Sequence, residues 1–128
     1  MSEWNWIAED VILAVHDIQI AQHGGLDGVK DLNALRSALA RPQQLATYGE
    51  AAPDAFDLAT AYAFGLVKNH SFADGNKRIA WIAARLFLAD NDVLIRFQPM
   101  EAIQMILALA ASETSELAFG NWLRGCKQ

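Results

Sequence analysis

An all-α fold is what this sequence predicts, a bundle of helices around one core, and three observations carry the prediction. Apolar residues recur at helical spacing in several separate segments. Glycine, proline and Asn-Asp pairs fall between those segments rather than inside most of them. The one strand-like run, Val93-Leu94-Ile95-Arg96-Phe97, is too short to build a sheet. At 128 residues the chain is expected to form a single domain over residues 1–128, burying roughly two-thirds of the surface of its unfolded state.

The first helix is expected from about Glu9 to His23, with Val11, Ala14, Val15 and Ile18 as its buried stripe and Gly24-Gly25 as its stop. After the Asp27-Gly28 turn, Asp31 is a reasonable N-cap for a short helix through Ala40, ended by Pro42. Gln43 to Ala52 lacks a clear period, contains Tyr48-Gly49, and reads as a loop or short hairpin. Pro53-Asp54 opens the helix leading to His70. A further helix follows Asn76 to about Asp90, where Asn91-Asp92 closes it, and the last two lie near Pro99 to Ala111 and Ser115 to Arg124. The aromatic residues Phe56, Tyr62, Phe64, Trp81 and Phe87 sit in helical context and read as core rather than as a base-stacking platform.

Composition excludes several functions. More than half of the residues are apolar, yet no run of about 18 is uninterrupted, so a membrane-spanning protein is not expected. The opening Met1-Ser2-Glu3-Trp4-Asn5-Trp6 lacks a basic segment followed by an apolar one, so no secretory signal is expected. A net charge of −5 argues against a nucleic-acid binder, which needs a basic surface. The lone Cys126 cannot close an internal disulfide and fits a cytoplasmic protein.

Chemistry concentrates in His70-Ser71-Phe72-Ala73-Asp74-Gly75-Asn76-Lys77-Arg78. His70 falls at a helix C-terminus, where the macrodipole favours a cation. Asp74-Gly75-Asn76 falls at a helix N-terminus, whose free N–H groups bind phosphate. Gly75 permits a left-handed conformation and a close backbone approach. Asp74 offers a hard oxygen of the kind Mg²⁺ takes beside nucleotide phosphates. Lys77 and Arg78 supply countercharge, and Phe72 reads as an apolar plug that fixes the loop. Singly, these residues fit a turn, a cap and a solvated first helical turn. Their concentration in one junction favours a phosphate site. Adjacent His16-Asp17 point about 100° apart on a helix, so that pair reads as structural rather than as a catalytic dyad. His23, beside Gly24, reads as a helix-end cation.

The motif resembles the signature of Fic/Doc proteins, His-Pro-Phe-x-Asp/Glu-Gly-Asn-Gly/Lys-Arg, and its lysine variant is similar to the death-on-curing (Doc) toxin branch. His16-Asp17-Ile18-Gln19-Ile20, Gly24-Gly25-Leu26, Asp31 and the run Leu35 to Gln43 also resemble that family's N-terminal region in order. The resemblance implies a Fic/Doc-like helical bundle with the active-site loop between two central helices and a short flap. It implies that His70 deprotonates a target hydroxyl, that Asp74 holds Mg²⁺, and that Gly75, Asn76, Lys77 and Arg78 bind ATP. It also implies that Gln43 to Ala52, with Leu45, Thr47 and Tyr48, is the flap that aligns a target segment.

Through lysine rather than glycine at position 77, the resemblance to the Doc branch implies a protein kinase transferring the γ-phosphate to a Ser/Thr hydroxyl, acting as the toxin of a toxin–antitoxin pair. The implied target is elongation factor Tu and the implied neutralising partner an antitoxin. The alternatives are an adenylyltransferase on the same scaffold and a non-catalytic nucleotide- or partner-binding module. Ser71 departs from the proline frequent after the histidine. Trp81 replaces a second arginine of adenylylating members, and Ile82 stands where a member of the branch has asparagine. The self-inhibitory pattern Ser/Thr-x-x-x-Glu-Gly/Asn is met only in part by Ser112 and Glu116, because Leu117 follows.

Overall fold

A computed structural model describes residues 3–128; the opening Met1-Ser2 lies outside them. Among the described residues the chain is all-helical, in the order α1 (Glu9–His23), α2 (Leu32–Tyr48), α3 (Ala55–Asn69), α4 (Asn76–Asp90), α5 (Pro99–Ala110) and α6 (Glu116–Gly125). Two isolated antiparallel bridges, Val29 with Phe72 and Ile95 with Lys127, are its β-type pairings. No described helix is long and apolar enough to cross a membrane.

The centre of the bundle is α3. Its sequence is apolar around nearly its whole circumference, which suits a helix enclosed on all sides. It packs against α2, α4, α5 and α6, and Leu58, Ala59, Tyr62, Ala63 and Leu66 are fully buried. Asp54 starts it with a capping box, its carboxylate accepting from Asp57 N–H at 2.8 Å while Asp57 accepts from Asp54 N–H at 3.0 Å. Gly65 lets α2 approach closely, since a Cβ there would sit 3.1 Å from Ala38 Cα. The helices α3 and α4 join through the motif loop, so core packing fixes both ends of that loop.

Helix α2 departs from the expected stop at Pro42. Asp31 caps it as predicted, accepting from Ala34 N–H at 3.0 Å, but it runs through Pro42 to Tyr48. The expected loop or hairpin over Gln43 to Ala52 is therefore helix for its first half. The reason is packing: Leu35, Ala38, Leu39 and Pro42 form one buried stripe, continued by half-buried Leu45 and Ala46. Arg41, in the same turn, pairs with Glu116 of α6 at 2.5 and 2.7 Å and lies over the Phe64 ring. These contacts offset the roughly 3 kcal/mol a proline costs inside a helix.

A second correction concerns α1. Ile12 and His16 are its buried residues, whereas of the expected stripe Val11 and Ile18 are 41% and 52% exposed, Ala14 is exposed too, and Val15 packs against the core half-buried. The helix carries apolar residues on two faces, so periodicity alone does not choose between them. The polar His16 turns inward because a hydrogen-bond partner waits there.

Candidate active site

His70 terminates α3 as its C-cap, in the left-handed region at φ 49° and ψ 50°. That conformation turns the chain sharply out of the helix and leaves the imidazole exposed. Five residues on, Gly75 caps α4 with φ 78° and ψ 15°, a conformation glycine adopts without strain. The first-turn N–H groups of Asn76, Lys77 and Arg78 have no side-chain cap. They remain as donors to a ligand.

The loop between the two helices is tied down from three sides. Asn76 accepts from Phe72 N–H through Oδ1 at 3.1 Å and donates from Nδ2 to Phe72 C=O at 3.0 Å. Its side chain is thereby committed to the loop, and what Asn76 offers a ligand is its backbone N–H. Phe72 is 1% exposed and stacks on the His16 ring at 3.8 Å between centroids. From α1, His16 Nε2–H donates to the Asp74 carbonyl at 2.8 Å.

The third side is the segment between α1 and α2. Ala73 N–H donates to Gly28 C=O at 3.2 Å, while Lys30 and Asp31 N–H both donate to Ser71 C=O at 2.8 and 3.0 Å. Leu26 N–H reaches Asp74 Oδ2 at 3.3 Å. Gly25 is pressed against the same carboxylate, where a Cβ would meet Oδ2 at 2.8 Å. The Ser71 hydroxyl is buried without a hydrogen-bond partner among the described residues.

These contacts set the charge of Asp74. The N–H of Gly75, at 2.9 Å from Oδ1, and that of Leu26 hold its carboxyl below the usual carboxylate range, with Arg78 adding positive charge nearby. The side chain is exposed to the cleft, and each oxygen keeps lone-pair capacity for a cation.

His70, Asp74, Gly75, Asn76, Lys77 and Arg78 all line one open cleft of about 1040 Å³. His23, Gly24 and Gly25 form a second wall, and Gln104, Leu107 and Glu113 of the α5 region a third. Neither Ile82 nor Arg85 is among the lining residues; the Arg85 guanidinium lies over Trp81 and Phe97. Trp81 packs edge-on against Phe97. Glu116 is held by Arg41 and Lys68 bonds Ser112, so the partial self-inhibitory pattern is not assembled in the cleft.

Leu45, Thr47 and Tyr48 do not join this site. Leu45 and Tyr48 line a separate groove of about 770 Å³ beside the start of α6, and exposed Thr47 lines neither. The segment beside the motif is Gly24 to Asp31. Its signal was visible as three glycines, Gly24, Gly25 and Gly28, flanking apolar Leu26 and Val29 outside any helix. All three take positive φ.

The profile of the Fic/DOC family matches residues 6–88, well over half of the chain. The chain belongs to the Fic/Doc family. Among relatives of this Fic/Doc protein, one named Protein kinase doc, of Escherichia phage P1, is 31% identical over 118 residues, covering 92% of each chain. Another, named Toxin Doc, of Mycolicibacterium smegmatis, is 44% identical over 70 residues, 55% of this chain and 54% of its own. The Fic/Doc match spans α1 to α4 and so includes every tie on the motif loop described above.

Proposed function

We propose that this protein is the cytoplasmic toxin of a toxin–antitoxin pair and acts as a protein kinase, transferring the γ-phosphate of ATP to a Ser or Thr hydroxyl of a target protein. The observation that carries the reading is that His70, the Asp74 carboxylate and the uncapped α4 N-terminus form one wall of a single cleft. The names of the two relatives support the kinase and toxin roles. A toxin implies an antitoxin to neutralise it, and elongation factor Tu as target rests on the family resemblance alone.

In this reading His70 takes the proton of the target hydroxyl as its oxygen forms a bond to the γ-phosphorus and the bond to the ADP oxygen breaks. The N–H groups of the α4 first turn, with Lys77 and Arg78, hold the phosphate oxygens and meet the charge that develops there. Asp74 fits Mg²⁺, because its carboxylate is exposed, kept ionised and adjacent to those donors. When bound, the ion neutralises phosphate charge. Lys77 at the second helical position adds a charge where glycine would leave space, which favours the γ-phosphate facing the hydroxyl.

Parallel incubations with α- and γ-labelled ATP test the proposal, with intact-mass measurement of elongation factor Tu and other candidate targets. The γ-label is expected on protein with the parent and is lost by at least about 10²-fold in a folded His70→Ala variant. Lys77→Gly is expected to reduce γ-transfer sharply. Transfer of the α-label by the parent would instead mark an adenylyltransferase, and transfer of neither would leave a binding module.

A further inference from the structure

The geometry points to His16 as a positioning residue that sets which way the Asp74–Gly75 peptide faces, and through that peptide aims the Asp74 carboxylate into the cleft. The inference rests on the reading of Asp74 as the cation ligand. It concerns a residue of α1 that faces the loop from behind.

The Asp74–Gly75 peptide unit is held at both ends. Its carbonyl accepts from His16 Nε2–H at 2.8 Å, and its N–H donates to Asp74 Oδ1 at 2.9 Å. A carbonyl only accepts, so the His16 ring must carry a proton on Nε2. The carboxylate is thus anchored by the same peptide whose opposite end is anchored by His16. Rotation of that peptide about its long axis would remove both bonds together. It would swing the carbonyl dipole toward the side where phosphate oxygens gather and leave Oδ1 without its donor.

Glycine makes such a rotation accessible. Gly75 has φ 78° and no Cβ, so both orientations of the preceding peptide are sterically open to it. Glycine sterics do not choose one, and the local Gly75 N–H bond to Asp74 Oδ1 exists in only one of them. His16 selects that one, and it is built to do so: it is 1% exposed, and its ring is stacked on Phe72 at an interplanar angle of 12°. The packing is close enough that a Cβ on residue 75 would touch Nε2 at 3.4 Å and Ile20 Cδ1 at 3.5 Å. A buried imidazole serving the core alone would need any acceptor. This one uses the carbonyl of the residue whose carboxylate faces the cleft.

Two substitutions separate the donor from the ring. His16→Phe keeps the stack on Phe72 and removes the N–H; His16→Gln keeps an amide donor at similar reach. The first readout is amide hydrogen exchange of ligand-free protein over residues 71–78, alongside the thermal midpoint. The second is calorimetric titration with ATP in the presence and absence of Mg²⁺. His16→Phe is expected to accelerate exchange of the Gly75 amide selectively and to weaken the Mg²⁺-dependent part of ATP binding by about 10- to 100-fold, the range typical when a group orienting a metal ligand is lost. His16→Gln is expected to recover most of both. Unchanged exchange and metal dependence in folded His16→Phe would overturn the assignment, as would equal losses in the two variants. If His16→Phe does not fold, His16→Leu carries the same comparison. Failure of the parent to bind Mg²⁺ and ATP would refute the proposed function, while the ligand-free exchange would still decide the role of His16.

Discussion

Asn76 and Phe72 form a closed reciprocal pair: the Asn76 side-chain amide bonds both the N–H and the C=O of Phe72, at 3.1 and 3.0 Å. One side chain thus replaces a turn of backbone hydrogen bonding across the motif loop. Asn76→Ala is expected to leave the partly buried Phe72 groups unpaired and to lower stability by about 1–3 kcal/mol. Urea unfolding together with ATP titration would check this. Lost ATP affinity at unchanged stability would make the Asn76 side chain a direct phosphate ligand instead.

Asp74 sets a pH dependence. Its folded carboxyl lies below the ordinary value because the ionised form accepts from Gly75 and Leu26 N–H. The stabilisation this confers is fully present above the unfolded value of about 3.9 and is lost as pH falls through the lower folded value. Mg²⁺-dependent ATP binding is therefore expected to show no loss attributable to Asp74 from neutral pH down to about 5. Asp74→Ala should remove the metal dependence at every pH, as titration calorimetry across that range would reveal.

Target handling is expected to reside in Gly24 to Asp31 and not at the end of α2. Leu26 and Val29 are 68% and 39% exposed beside the motif, on a segment already paired with Phe72 by a β-type bridge. An extended target segment could align there by main-chain bonds with side-chain pockets for selectivity. The double change Leu26→Ser and Val29→Ser should impair protein modification while sparing ATP binding. Replacing Leu45 to Gly49 with a Gly-Ser linker should instead shorten α2 and lower the unfolding midpoint.

Pro42→Ala tests how α2 tolerates its proline. Alanine would restore a hydrogen bond to the Ala38 carbonyl and remove the helix penalty, at the loss of some buried ring surface. A net gain of about 1–2 kcal/mol is expected, less than the full propensity difference. Chemical denaturation would measure it, and a loss of stability would show that ring packing outweighs the helix penalty.

What could be seen in the sequence followed from how local the cause was. The capping carboxylates Asp31 and Asp54 and the closure at Asn91 mark helix ends through neighbouring residues alone, and they stand where expected. Pro42 was a strong local stop overruled by a stripe that continues beyond it to Leu45, a tertiary effect. The α1 face was undecidable from periodicity because Val11 and Ile18 compete with Ile12 and His16; the deciding bond reaches Asp74, 58 positions away. The motif residues from His70 to Arg78 were legible because they are contiguous. The Gly24 to Asp31 segment shows its need for special backbone conformations in its three glycines, but its place beside the motif comes from long-range backbone bonds to Ser71, Ala73 and Asp74 that no local spacing encodes.

The amino-terminal segment has a consequence for experimental handling. Trp4 and Trp6 pack around Phe87, Ile7 N–H donates to the Tyr62 hydroxyl at 3.0 Å, and Asn5 exchanges hydrogen bonds with Asn91 just past the end of α4. The cleft lies at the opposite end of that 15-residue helix, roughly 22 Å away along its axis. A dye or affinity tag joined ahead of Trp4 would hang from the far end of α4, leaving the motif cleft open for measurement. Trp4 and Trp6 would serve as built-in fluorophores for loss of the core, largely silent to what happens at His70.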